Sequence, residues 1–208
     1  MLKKQPGMKL NEKYRYVVVE GNIGSGKTSL ASMIAAETGA TLLLEEFAEN
    51  TFLPQFYKEP SKYAFPLELS FLAARFRQLK NELFRNESQL IVSDYHIRKS
   101  LLFAEHNLDE AELELYRSFY DIISSQIPEP GVVIYLNKSI SKLHENIGKR
   151  GRDFEKNISE KYLSGIQIAY ENLLQNHPFS KVIVIDSENL DFVNNEKDYQ
   201  FIINHLNH

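Results

Sequence analysis

Gly21-Asn22-Ile23-Gly24-Ser25-Gly26-Lys27-Thr28 follows the apolar run Tyr16-Val17-Val18-Val19 and leads into a helical pattern. A buried strand thus ends in a glycine-rich turn that opens a helix, which is the setting of a phosphate-binding loop. The three glycines let successive backbone N–H groups converge on phosphate oxygens, and the positive end of the following helix favours an anion. Lys27 is placed to reach the outer phosphates and Thr28 to hold Mg²⁺. A glycine-rich turn that binds nothing is the plainer reading, but the defining positions and both flanking elements agree against it. The loop points to ATP or a related nucleotide without naming the reaction.

Four further short apolar runs repeat the strand signal: Thr41 to Glu45, Gln89 to Ser93, Val132 to Leu136 and Lys181 to Ile185. Helical patterns lie between them, from about Leu67 to Phe84, Asp109 to Ser125 and Ser159 to Gln175, with a weaker one towards Leu206. Strands alternating with helices imply right-handed crossovers and a five-stranded parallel sheet flanked by helices, an α/β fold that carries the P-loop. Residues 1–208 then form one domain, with 1–13 expected as a flexible extension. Ligands collect at the carboxyl ends of such strands, so the residues after Val19, Leu44 and Ser93 carry most weight.

Composition narrows the classes. With 208 residues and 43% hydrophobic content there is material for one substantial core. A net charge of −4 lacks the dense basic field that a nucleic-acid polymer requires. The absence of cysteine excludes disulfide frameworks and Cys-ligated metals. No apolar stretch reaches membrane-spanning length and Met1 to Gly7 has no signal-peptide core, so a cytoplasmic protein without a membrane partner is expected. The six histidines show no ligand spacing and read as structural or surface residues.

Beyond the loop, Glu45 ends the second strand, where a carboxylate can take a proton from an attacking hydroxyl; Glu46 competes for the role. Asp94 ends the third strand, the position of an acid that completes a Mg²⁺ shell. Glu68 and Arg75, seven residues apart, share a mainly apolar helix face and form either a structural pair or the lining of a base pocket. Lys149-Arg150-Gly151-Arg152 is either a solvated basic turn or a short lid whose guanidinium groups close over phosphates.

Taken together, these motifs resemble the deoxynucleoside kinases, particularly the bacterial deoxyadenosine and deoxyguanosine kinases. The resemblance runs from about Tyr16 to Tyr170, and its most telling stretch is Glu49-Asn50-Thr51-Phe52-Leu53-Pro54-Gln55-Phe56-Tyr57-Lys58-Glu59-Pro60, followed by Tyr63-Ala64-Phe65-Pro66-Leu67-Glu68. It implies Glu45 as general base for a sugar 5′-hydroxyl, Asp94 as the acid near Mg²⁺, and Tyr57 with Glu155 at the 3′-hydroxyl. It implies Glu68 and Arg75 at the base, Arg150 and Arg152 as lid arginines, and a homodimer. Three positions depart from the family pattern. Asp94-Tyr95-His96 replaces an acid followed by Arg-Ser, with Arg98 or Lys99 as substitutes; Glu46-Phe47 replaces Pro-Val; and Ser100 stands where many relatives keep an Asp. The expected reaction is ATP-dependent phosphorylation of a deoxynucleoside, purines first. A nucleoside monophosphate kinase and a nucleotide-binding regulatory protein are the alternatives.

Overall fold

In the computed structural model the described residues are 10–46, 50–85, 89–155, 158–176 and 179–207. The strands are β1 (Tyr16–Gly21), β2 (Thr41–Leu43), β3 (Ile91–Ser93), β4 (Val132–Asn137) and β5 (Val182–Asp186). The helices are α1 (Leu10–Lys13), α2 (Lys27–Thr38), α3 (Leu53–Phe56), α4 (Pro60–Arg85), α5 (Arg98–Asn107), α6 (Glu110–Ser124), α7 (Ile140–Arg150), α8 (Glu160–Asn176) and α9 (Glu196–Asn207). All strand pairings are parallel, in the order β2-β3-β1-β4-β5. The chain therefore steps to opposite sides of β1 in its two halves, and a crevice opens at the carboxyl ends of β1 and β3.

β1 and β3 are buried along their whole length, as a sheet covered on both faces demands. On one face Leu30, Ile34, Ile202 and Leu206 of α2 and α9 pack against Val17, Val19 and Ile134. On the other, Leu72 and Leu79 of α4 and Tyr116 and Tyr120 of α6 cover Val18 and Val133. β5 is as apolar in sequence but only partly buried, being an edge strand, and its Val184 is exposed.

Two boundaries differ from the sequence reading. The long helix begins at Pro60, not Leu67, so Pro66 lies inside it and cannot donate to the carbonyl four residues back. That carbonyl belongs to Lys62, an exposed residue. Within the expected flexible extension, residues 10–13 instead form a helical turn, and Leu10 is buried in the core with Leu206. Residues 1–9 lie outside the described residues. The Asp109 cap of α6 is as expected, its carboxylate accepting from the Glu112 N–H at 2.9 Å. His96 is buried between Tyr16 and Phe179, in keeping with a structural histidine, and burial pulls its imidazole down to about 3.

Candidate active site

The phosphate-binding loop is shaped by backbone that only glycine adopts readily. Gly24 has φ 84° and Gly26 has φ 98°. A Cβ on Gly24 would lie 2.7 Å from the Leu143 carbonyl oxygen, so α7 packs directly on the loop. Side chains fix it from three directions. Asn22 Nδ2 donates to the Leu163 carbonyl at 2.8 Å, Asn22 Oδ1 accepts from the Ile23 N–H at 2.8 Å, and Asn146 Nδ2 donates to the Gly24 carbonyl at 2.9 Å. Lys27 Nζ donates to the Asn22 carbonyl at 2.9 Å. Burial, reinforced by the neighbouring Lys99, pulls the Lys27 ammonium down to about 8. Gly24 to Ser29 line a cleft of about 790 Å³ whose other walls carry Lys138, Lys142, Lys149, Arg150 and Arg152. Such a basic concavity at a helix N-terminus suits a polyphosphate.

A second, inner pocket of about 110 Å³ adjoins the same loop and brings together Lys27, Thr28, Glu45, Asp94, Glu68 and Arg75. Asp94 joins its parts. Its Oδ2 accepts from the Thr28 hydroxyl at 2.6 Å and its Oδ1 from the Glu45 N–H at 2.8 Å. Glu45 itself is held by two cations. Arg75 donates through Nε at 2.7 Å and lies 2.6 Å away through a terminal nitrogen, and Lys99 Nζ donates at 2.6 Å. Against burial, the Lys99 and Arg75 charges hold the Glu45 carboxyl well below the usual carboxylate range. Glu46 points elsewhere: it accepts from Gln78 at 3.1 Å on the surface and is half exposed.

The position after Asp94 also resolves. Tyr95 is fully buried, and its hydroxyl donates to Gln78 Oε1 at 2.5 Å. Arg98 turns outward to Glu129 at 2.7 Å, whereas Lys99 enters the pocket. Ser100 accepts from Arg75 at 2.8 Å.

At the far end Glu68 is buried, with Oε1 accepting from Asn107 Nδ2 at 2.6 Å and Oε2 lacking a partner. Burial pushes its carboxyl up to about 7. Tyr57 stacks on Phe154, and burial raises its phenol above the ordinary value. The expected lid arginines close on a side chain of the pocket rather than on solvent. Arg150 donates to Glu155 Oε2 through Nε at 3.0 Å and also through a terminal nitrogen, and Arg152 reaches Glu155 Oε1 at 3.3 Å.

Residues 17–208 match the deoxynucleoside kinase family. The chain belongs to that family. It is 35% identical over 197 residues to a deoxyguanosine kinase of Bacillus subtilis, covering 92% of this chain and 95% of the relative. It is 29% identical to a deoxyguanosine kinase of Lactobacillus acidophilus, over 91% of this chain and 88% of that one. A deoxyadenosine kinase from M. mycoides, solved with dCMP and a flexible dCDP, superposes with a TM-score of 0.81 at 26% identity over 92% of this chain and 98% of that one. Deoxynucleoside kinases are phosphotransferases acting on a hydroxyl, and this chain is one of them.

Sequence reasoning named most of the pocket lining, gave no role to two polar residues outside that lining and left Lys99 undecided. Asn107 and the buried Glu20, which accepts from the His96 N–H at 2.9 Å and the Tyr170 hydroxyl at 2.8 Å, carried no motif. Lys99 appeared only as one of two substitutes, although its place one residue further round the first turn of α5 is a usable signal.

Proposed function

We propose that the protein phosphorylates the 5′-hydroxyl of purine deoxynucleosides with ATP. The supporting observation is that the inner pocket shares Gly24, Lys27 and Thr28 with the basic cleft, so a donor phosphate and an acceptor hydroxyl meet at one wall. The loop residues Gly21 to Thr28 cradle the phosphates and Lys27 neutralises the outer ones. The Thr28 hydroxyl and Asp94 carboxylate supply two adjacent hard oxygens, which suits Mg²⁺, an ion that usually takes one or two protein oxygens and leaves the rest to phosphate and water. Bound there, Mg²⁺ would offset phosphate charge.

Glu45 accepts the hydroxyl proton. A carboxylate held so strongly ionised is a weak base, but a loose phosphoryl-transfer transition state needs little early proton abstraction and chiefly an oriented acceptor. Arg150 and Arg152 stabilise the transferring group, exchanging Glu155 for phosphate as the site closes, and Glu155 is thereby released to the 3′-hydroxyl beside Tyr57. Glu68 and Arg75 lie at the base. Purines are favoured because the free Glu68 oxygen accepts N–H donors, and two of the relatives above are deoxyguanosine kinases.

The deciding experiment is ADP release with ATP and Mg²⁺ against the four deoxynucleosides and dTMP, with Lys27→Ala as the blank. Lys27-dependent turnover, highest on deoxyguanosine or deoxyadenosine, is expected. Turnover on dTMP alone, or on none, would overturn the proposal.

We also propose a homodimer. Leu115, Phe119 and Ile122 are exposed along one face of α6, with Ile168 exposed on α8. A contiguous apolar face of that kind is costly to leave in water and suits a two-fold interface. Sedimentation equilibrium should give twice the 24.1 kDa chain mass for the native protein and the single mass for Ile122→Glu. A native monomer would refute it.

A further inference from the structure

Glu68 presents an unusual local arrangement. One carboxylate oxygen is tied to Asn107 at the last turn of α5, and the other is buried in the pocket wall with no partner. Buried polar atoms are rarely left unpaired, so Oε2 is a place for a ligand donor. The chemistry of that ligand depends on the state of the carboxyl. An ionised carboxylate only accepts and has about four lone-pair sites, so Oε1 can serve Asn107 and a ligand together. Guanine offers adjacent N1–H and N2–H donors, and an ionised carboxylate accepts both in a bidentate fork. A protonated carboxyl donates once and accepts once, which matches adenine, whose edge offers an N6–H donor beside the N1 acceptor.

We infer that Asn107 is a specificity-determining positioning residue: its N–H bond to Glu68 Oε1 favours the ionised, doubly accepting carboxylate and so selects guanine over adenine. The inference rests on the placement of Glu68 at the base in the reading above.

The surroundings of Glu68 fit this role. Burial favours the protonated form and raises the carboxyl to about 7; Arg75 on the same helix opposes this most strongly, and the Asn107 bond comes next. Lys99 from α5 also opposes it, whereas the Glu45 charge near β2 assists it. Among the described residues the phenols of Tyr57 after α3, Tyr116 on α6 and Tyr162 on α8 also face Glu68, all raised by burial and neutral at physiological pH, and the charged groups of Arg150, Arg152 and Glu155 line the same pocket. Glu68 therefore sits where loss of one donor changes its state.

The test is kcat/KM for deoxyguanosine and deoxyadenosine from pH 6 to 9, in the native chain, Asn107→Leu and Glu68→Gln. The native enzyme should prefer deoxyguanosine at pH 8, and the ratio should fall as pH drops through about 7, approaching tenfold per unit, because Glu68 takes up a proton. In Asn107→Leu the carboxyl is protonated to higher pH, so the fall should move upward and the ratio at pH 8 should drop about tenfold. That drop should come through KM, with kcat on deoxyadenosine within about twofold of native. Asn107→Ser, which shortens the donor without adding apolar bulk, should act alike if the leucine variant does not fold. An equal loss on both nucleosides, or an unchanged ratio and pH profile in both Asn107 variants, would overturn the inference. A native preference for deoxyadenosine would also overturn it. If Glu68→Gln leaves both nucleosides unaffected, Glu68 does not read the base and the underlying placement fails as well.

Discussion

Glu45→Gln is expected to lower kcat by about 10²–10⁴-fold while leaving nucleotide affinity within about threefold, because a positioned proton acceptor contributes at that level and the loop that holds phosphates is untouched. The amide keeps the shape but loses the charge that Arg75 and Lys99 enclose. Two buried cations then lack their counter-charge, so the melting temperature should fall as well, and kcat is to be compared at a temperature where the variant is folded. Glu46→Gln is the control. Its carboxylate lies on the surface beside Gln78 and Arg77, and kcat should stay within about twofold. A large loss in Glu46→Gln with a small one in Glu45→Gln would reverse the assignment. The pH profile adds a second check. Since Lys99 and Arg75 keep Glu45 ionised far below the usual carboxylate range, no acidic limb of kcat should come from this group at ordinary carboxylate values.

Arg75→Leu should be the most destabilising single change in the site. Arg75 is 3% exposed, and its guanidinium binds Glu45 and Ser100 and lies 4.8 Å from the Phe71 ring centroid. Removing one partner of a buried ion pair costs about 3–5 kcal/mol, equivalent to about 10 °C in melting temperature for a chain of this size. The loss should depend on pH with a definite sign. Arg75 is the strongest opponent of the upward shift of Glu68, so its removal lifts that carboxyl further above its unfolded value. A raised acid contributes stability below its unfolded value and loses it as pH rises through the folded one. The variant should therefore be more destabilised relative to the native chain at pH 8 than at pH 6, in thermal melts at matched ionic strength. A pH-independent difference would mean that Arg75 and Glu68 are not coupled.

The fold was readable because its signals are local. Val17 to Val19 and Val132 to Ile134 are continuous apolar runs since both sheet faces are covered, and the loop after β1 has a spacing tied to backbone geometry. The acids at strand ends were readable because topology brings those ends together. What stayed hidden depends on rotation about helices already in place. Arg98 and Lys99 are adjacent in the chain, yet one reaches Glu129 and the other Glu45, and only the orientation of α5 decides which. Asn107 is a polar residue at a helix end, a place where such residues are common, and its meaning appears only when α4 brings Glu68 within 2.6 Å. Pro66 reads as a helix boundary in the sequence, whereas in the structure it lies inside α4, four residues after the exposed Lys62. Phe47, half of the Glu46-Phe47 departure, and Glu49, the first residue of the telling stretch, lie outside the described residues.

Asp94 has one oxygen on the Thr28 hydroxyl and the other on the backbone N–H of Glu45. Whatever draws the Thr28 hydroxyl away from Oδ2 changes the charge left for Oδ1, and so changes how firmly the end of β2 is held. Occupancy on the loop side and occupancy on the Glu45 side are then thermodynamically linked, and the linkage is reciprocal: each ligand alters the affinity of the other by the same factor. A single carboxylate is thus the shared wall between the two halves of the crevice.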